Sequence, residues 1–501
     1  MPRSGWGDQL ADKGSVNLVN ALEGKVSGVN ITGASGSAGA SVNINIRGIT
    51  SFTRSNQPLF VVDGIPISND VDRTNGGPNG TLGDNQPANR ALDIDLNNVE
   101  SVNILKGPAA AVLYGSRAAA GAIVITTKKG GMGGRTEIIA SSSYSQQNAE
   151  GLPKTQNQYG QGTNGVYNPI SGNSWGPKFG TTPTAANGLL VGGQPVPYQA
   201  YPDNINDFWQ TGKISDNSLL ISGGDAKQNF TLSGGYLTQN GILPNTSLKR
   251  ADVKFGGNTV FRNKIHLGGS ITFTNTLQNG ILGGNGASAL AVVLGLARSI
   301  DLTGFKRKHT YQNPDGSNNW PITGQDNPYF DAYNDPLTSN LTRTLGSVNL
   351  GYDLTPWLNV NYRLGIDAYT DRRKQVFAIT SARVPAGQDL ESTIFRSELN
   401  GDLIITAHKN DMFIKDLSVS ALLGQNINQR RSQTVTVQAD QISIPGFFNV
   451  STGANFNIGS TEVTNLQRLL GYYGQLSFAY SNYLFLGTDR PCRPELDPAC
   501  F

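Results

Sequence analysis

The chain has 501 residues, 37% of them hydrophobic and 15% charged, with 61 glycines and a formal net charge of +3. No apolar run reaches the roughly 18 residues of a spanning helix, which excludes a helical membrane protein. A near-neutral balance without a basic cluster excludes nucleic acid as a partner.

Residues 1–14 read as a stub. Met1 to Gln9 has no apolar h-region, so no signal peptide is visible. Either a leader has been removed or the chain starts inside a longer gene, and the second is expected. Ser15 then caps a short helix whose apolar face is Leu18, Val19, Leu22 and Val26, with Gly28 ending it. Val42, Ile44 and Ile46 alternate with Asn43 and Asn45, and 59–62 is a buried-type run. Further strands at 102–105 and 123–125 flank a small-residue helix at 109–114. These short mixed elements predict a compact α+β domain over 15–133, too polar in its connections to cross lipid. Gly48, Gly64, Gly107, Gly115 and Gly121 fall where strands hand over to turns.

From 134 to 486 the pattern switches to period two. Ile265, Leu267, Ile271 and Phe273 alternate with His266 and Thr272; Val360, Tyr362, Leu364 and Ile366 alternate with Asn361, Arg363 and Asp367. The apolar set is expected to face lipid and its partners a lumen. Strands are predicted near 135–146, 216–224, 228–239, 250–261, 265–277, 341–354, 357–370, 395–408, 416–429, 467–480 and 483–487. Their lengths approach the roughly 9–11 residues of a tilted spanning strand. Tight connections at 225–227, 262–264, 355–356 and 481–482 share one side. Long connections at 147–215, 278–340, 371–394 and 430–466 share the other, as in an outer-membrane barrel. Phe230, Phe261, Trp357, Tyr480 and Tyr483 adjoin the tight turns, where an interfacial girdle belongs. A β-sandwich core is the alternative reading of those aromatics.

Chemical motifs are scarce. His266, His309 and His408 are scattered without metal-ligand spacing. Asp93, Asp95 and Glu100 are expected to cap or pair rather than act as a catalytic carboxylate pair. The glycine-rich stretch 33–39 lacks the lysine of a phosphate loop. No enzyme, cofactor or metal is expected.

The blocks NALEGKVSGVNI, VNINIRGI, PLFVVDGIPIS and NVESVNILKGPAAAVLYGSRAAAGAIVITTKKG, in that order over 17–130, resemble the plug domain of TonB-dependent outer-membrane transporters. The wording is closest to the SusC/RagA branch. NSWGPKFG (173–180), DFWQTG (207–212), LISGGDAKQNFTLSGGYLTQNGIL (220–243) and LKRADVKFGGN (248–258) are similar to the early barrel of that branch. The resemblance implies an antiparallel transmembrane β-barrel of about 22 strands around an N-terminal α+β plug. With eleven strands countable, the barrel is expected to be incomplete, about half. The tail 487–501 carries prolines and no alternation, so it is expected to be non-native or out-of-frame and unstructured; a Cys492–Cys500 disulfide is the alternative.

The resemblance further implies active import of an oligosaccharide or peptide across the outer membrane of a Gram-negative bacterium. A SusD-like surface lipoprotein would serve as lid, and TonB with ExbB and ExbD would supply energy. Residues 1–14 carry no recognisable TonB-docking stretch. The implied plug signature is Arg47, Gly48, Asp63, Gly64, Glu100, Lys106, Gly107, Tyr114, Gly115, Arg117 and Gly121. Its charges are expected to ion-pair with the barrel lumen, or, on the sharper reading, to form a latch released on energisation. Trp175, Trp209 and Trp320 in the long loops either anchor loop packing or stack on substrate. A passive porin and a secreted β-rich carbohydrate-binding protein are the rival readings.

Overall fold

The computed structural model describes residues 21–492 except 34–35, 50, 53–54, 73–87, 107–109, 111–113, 132–133, 192, 282, 284–287, 412–414, 457–459 and 482–483. The stub 1–14, Ser15, Leu18, Val19, Gly107, most of the 109–114 helix, Tyr483 and Cys500 therefore lie outside the described residues.

The N-terminal unit is built from two small sheets. Strands β1 (Val29–Gly33) and β2 (Val42–Ile46) pair antiparallel. Strands β3 (Leu59–Val62), β4 (Ile65–Ile67), β5 (Val99–Leu105) and β6 (Ala122–Thr127) form a second sheet in the order β4-β3-β6-β5. Strand β3 runs parallel to β6, so its residues are buried on both faces, which explains the continuous apolar run Leu59–Val62. Asp63 (φ 48°) and Gly64 (φ 83°) make the two-residue turn between β3 and β4. Both positive φ values are those of a type I′ hairpin, for which Asp-Gly is a preferred pair. Ile44, Phe60, Ala91, Val99, Ile123 and Ile125 form an apolar core, and Leu345 from the second unit packs against it.

The second unit is one large antiparallel sheet. It begins with β7 (Glu137–Gln147), followed by the short pair β8 (Leu190–Val191) and β9 (Gln194–Pro195) in a long connection. Then come β10 (Gly212–Gly224), β11 (Gln228–Asn240), β12 (Ser247–Phe261) and β13 (Ile265–Gly280). Beyond a helical connection lie β14 (Leu337–Thr355), β15 (Leu358–Ile379), β16 (Ala386–Lys409) and β17 (Leu417–Ile442). The short β18 (Gly453–Asn455) leads to β19 (Thr461–Tyr480) and β20 (Leu484–Cys492). The order is β20-β19-β17-β16-β15-β14-β13-β12-β11-β10-β7, each strand beside its neighbour in sequence. Among the described residues β7 and β20 do not pair with each other, so the wall is an arc with two edges.

One small domain touches inward side chains on strands from β10 to β16, through Asp216, Arg250, Arg343 and Glu398, which requires the sheet to curl round it. The outer face is apolar: Phe273 is 48% exposed and Leu364 38%, with Leu267, Ile271, Tyr362 and Ile366 beside them. Asp367, of opposite parity, is 2% exposed under the plug. Alternation along each strand is thus set by lipid on one side and plug on the other.

Two expectations need correction. The stretches 371–394 and 430–466 are not loops lacking strand structure. Strands β15 and β16 continue to Ile379 and from Ala386, and β17 runs to Ile442. Beyond the membrane both faces of a strand contact water or polar neighbours, so the backbone ladder persists while the apolar alternation that marks it in sequence stops. The tail differs as well. Strand β20 passes Gly487 and pairs as far as Tyr472 opposite Cys492. A ladder is made by backbone groups, and on an edge strand even Pro491 is tolerated. Residues 493–501 lie outside the described set.

Candidate functional site

The plug meets the wall along a seam of charge. Register places Asp252, Thr274, Arg343, Tyr369 and Arg396 opposite one another across β12 to β16. They form an inward row at the level of the plug. Arg343 is its hub. Its Nε and Nη2 donate to the two Asp367 oxygens at 2.8 Å each, and its Nη1 donates to Asp93 Oδ2 at 3.1 Å. The Arg90 carbonyl accepts from the same Nη1 at 3.0 Å, and the Ser68 carbonyl accepts from Nη2 at 3.1 Å.

Two strands over, on β12, Arg250 Nη2 donates to Asp95 Oδ1 at 3.0 Å and Nη1 to the Leu92 carbonyl at 3.0 Å. Thr276 adds a hydroxyl bond to Asp93 Oδ1 at 3.2 Å. Asp95 also accepts from the Asn97 N–H at 3.2 Å, capping the short 3-10 turn Leu96–Asn98. On the far side Arg396 bonds Asp72 and donates to Asp70 Oδ2 at 3.0 Å, while the Tyr369 hydroxyl donates to Asp72 Oδ2 at 2.8 Å. Along this part of the seam wall cations face plug carboxylates. Arg117 and Glu398 reverse the polarity, with a plug guanidinium in a fork–fork pair at 2.5 and 3.1 Å. Buried pairs of this kind fix register and orientation more than they add stability.

The sequence-derived candidates separate on this map. Arg117 is at the seam. Asp63 stays inside the plug, accepting from the Thr127 N–H at 2.9 Å and hydroxyl at 2.5 Å. Lys106 donates to the Ser27 carbonyl at 2.6 Å, and Arg47 and Glu100 are exposed. Gly48, Gly64, Gly115 and Gly121 all take positive φ. Tyr114 packs against the Leu59, Val61 and Ala118 cluster. Asp70, Asp72, Arg250, Arg343 and Arg396 were not singled out from the sequence. An arginine in the inward parity of a spanning strand is the signal that finds the wall members.

Above the plug, the long connections fold into their own cluster. Trp209, after the helix Asn204–Phe208, lies 6.4 Å from Phe208, and Trp320 lies 5.5 Å from Phe305. Phe208 in turn meets Tyr329 at 5.4 Å. Trp175 differs: it is 65% exposed and only tilts against Tyr159 at 5.9 Å. The helix Pro328–Asn334 holds buried Asp331 and is flanked by two further buried acids, Asp326 and Asp335. Asp326 accepts from the Ala382 N–H at 2.8 Å and the Ser381 hydroxyl at 2.9 Å, and Asp335 accepts from the Ala378 N–H at 2.7 Å. These bonds pin the β15–β16 hairpin end to the helix. Burial, with Asp331 close by, holds the Asp335 carboxyl well above the usual carboxylate range. Among the described residues no group of three or more His, Cys, Asp or Glu is placed to hold a metal ion.

Residues 7–122 match the family model described as the TonB-dependent Receptor Plug Domain. The TonB-dependent receptor SusC of Bacteroides thetaiotaomicron is 29% identical over 243 residues, which is 48% of this chain and 21% of that protein. The fold is similar to that of the RagAB peptide importer in its closed-closed state, with TM-score 0.71 at 18% identity, covering 98% of this chain and 55% of that one. The ferric citrate transporter FecA shares the fold at TM-score 0.52 and 10% identity, over 98% of this chain and 59% of that one. The chain thus spans about half the length of the solved relatives that it matches.

Proposed function

We propose that this chain, part of a SusC/RagA-type TonB-dependent transporter in a Gram-negative outer membrane, closes an energised import pathway with its plug and lines it with its wall. The observation that carries this reading is the seam. Asp93 and Asp95 of the plug are bonded to Arg343 and Arg250 of the wall, so the plug blocks the pathway and cannot leave it without breaking buried pairs. Residues 15–133 are taken as the plug and 134–486 as the wall.

In this reading, cargo is an oligosaccharide or a peptide gathered among the outer loops, where the open face of Trp175 offers a stacking surface. A SusD-like lipoprotein covers those loops from outside. TonB, with ExbB and ExbD, docks by strand addition on a segment N-terminal to the plug and pulls. The Arg117–Glu398 pair is the latch that the pull opens, because it is a bidentate, charge-assisted pair that joins plug to wall.

The test is uptake of labelled oligosaccharides and peptides by cells expressing the protein, with and without TonB. Uptake that disappears without TonB is expected. Uptake that persists unchanged would instead favour a passive porin, and the exposed apolar outer face already speaks against a secreted sugar-binding protein.

A further inference from the structure

At the tight-turn end of the wall a cavity of about 420 Å³ opens beneath the plug, within the roughly 300–1,000 Å³ of ordinary ligand sites. Its plug side is Asp63, in the β3–β4 turn, and Thr127 at the end of β6, with Lys128 and Lys129. Its wall side carries Lys254 and Arg363 among hydroxyls and carboxamides such as Ser270, Ser347, Asn258 and Asn349. Four cations face one carboxylate, and that carboxylate, Asp63, already accepts two bonds from Thr127. Asp402, the cross-strand partner of Arg363, accepts from the Asn400 amide at 2.8 Å and the Asn426 amide at 2.6 Å.

The two wall cations are held in place and under-used. Lys254 is 3% exposed, and its Nζ donates to the Lys128 carbonyl at a long 3.3 Å. The Nε of Arg363 is buried without a hydrogen-bond partner among the described residues. Its Nη1 passes so close under the turn that a Cβ on Gly64 would lie 1.9 Å from it. Buried donors left short of acceptors cost free energy that an incoming anion recovers. No aromatic side chain lines the space among the described residues, so recognition there is by charge and amide bonds, not stacking.

We propose that this cavity is a binding station for carboxylate-bearing cargo on its way to the periplasm, with Lys254 and Arg363 as the anchoring cations. The inference rests on the import reading above and narrows its cargo to acidic chains. The carboxylate belongs either to a uronic acid or to an acidic peptide.

The gene product, purified from outer membranes in detergent, is titrated calorimetrically with trigalacturonate, its neutral methyl ester and tri-aspartate. At least one acid is expected to bind, and the tighter of the two names the source. The Lys254→Gln/Arg363→Gln double variant should weaken that acid about tenfold or more and leave the ester unchanged, with Lys254→Arg restoring part of the loss. On the parent protein alone, raising salt from about 0.05 to 0.5 M should weaken the acid and spare the ester. This salt arm decides the matter if the double variant fails to fold. Equal binding of acid and ester, no binding of either acid, or an affinity indifferent to the variant and to salt overturns the proposal. TonB-independent uptake alongside intact acid binding would sink the import reading and leave the station standing.

Discussion

Arg343 and Asp93 meet at 3.1 Å with side chains 4% and 1% exposed, one on the wall and the other on the plug. Asp367, 1% exposed, shares the same guanidinium at 2.8 Å, so a single cation serves carboxylates from both units. Losing it takes the guanidinium from two buried carboxylates at once, leaving Asp93 with Arg90 at 3.6 Å and the Thr276 hydroxyl, and Asp367 with the Ser68 N–H at 2.9 Å. Arg343→Ala should therefore cost about 3–5 kcal/mol of plug stability. Adding Asp93→Asn and Asp367→Asn should recover much of that. Protease resistance of the plug and the denaturant midpoint in detergent read both effects, and an unaffected Arg343→Ala plug would show that the seam does not hold it.

The outer and inner faces differ in what they tolerate. Leu364→Arg should cost about 2–4 kcal/mol if its depth is near mid-bilayer, whereas Asn361→Ser, on the inner face, should be nearly neutral. Folding titrations into lipid vesicles check this. Equal costs would mean that the faces are exchanged.

A Cβ on Gly365 would lie 2.3 Å from Ile65 Cδ1, so the wall is bare where the plug turn rests on it. Gly365→Val should cost about 1–3 kcal/mol by overpacking. Ile65→Ala in the same molecule should give part of it back, and a double-mutant cycle measures the coupling. Strict additivity would refute the contact.

The three tryptophans should separate by role. Trp209→Ala and Trp320→Ala remove packed rings and should each destabilise the outer loops by about 3–5 kcal/mol. Trp175→Ala should leave stability unchanged and lower cargo affinity. Limited proteolysis and binding titrations, run on all three variants, distinguish the two outcomes.

Acid should tighten the outer loops. The folded Asp335 carboxyl has a raised pKa because it is buried and lies near Asp331. Its contribution to stability is therefore fully present below the unfolded value near 3.8 and lost as pH rises through the folded value. The protection factor of the Ala378 amide, which bonds Asp335, meaning its exchange rate corrected for the intrinsic pH dependence, should be largest at the acidic end of that window. Asp335→Asn should flatten the pH dependence. A slope of opposite sign would show that Asp335 is stabilised as the anion.

Much of the wall was legible because lipid imposes a period of two, as at Ile271 and Leu364. The tight-turn ends were read within a few residues, since Asp225 and the positive-φ pair Arg262–Asn263 are local turn chemistry. The outer ends were not, because Arg372, Arg373 and Lys374 stand on a strand that no longer borders lipid. At the site, Arg117 was legible beside its glycines. Asp72 was not, because a carboxylate in a connection acquires its partners, Tyr369 and Arg396, only when the sheet curls round it.

Strands β15, β16 and β17 run to 22, 24 and 26 residues, although roughly 9–11 suffice to cross the bilayer. The surplus of about 11–17 residues, at roughly 3.3 Å each and tilted about 45°, amounts to some 25–40 Å of wall outside the hydrocarbon core, part of it within the headgroup layers. On this arc the pathway's mouth is thus a stiff chimney, not a ring of loops lying on the membrane. On the import reading proposed above, whatever delivers cargo must reach the wall's rim at that height and not at the membrane plane.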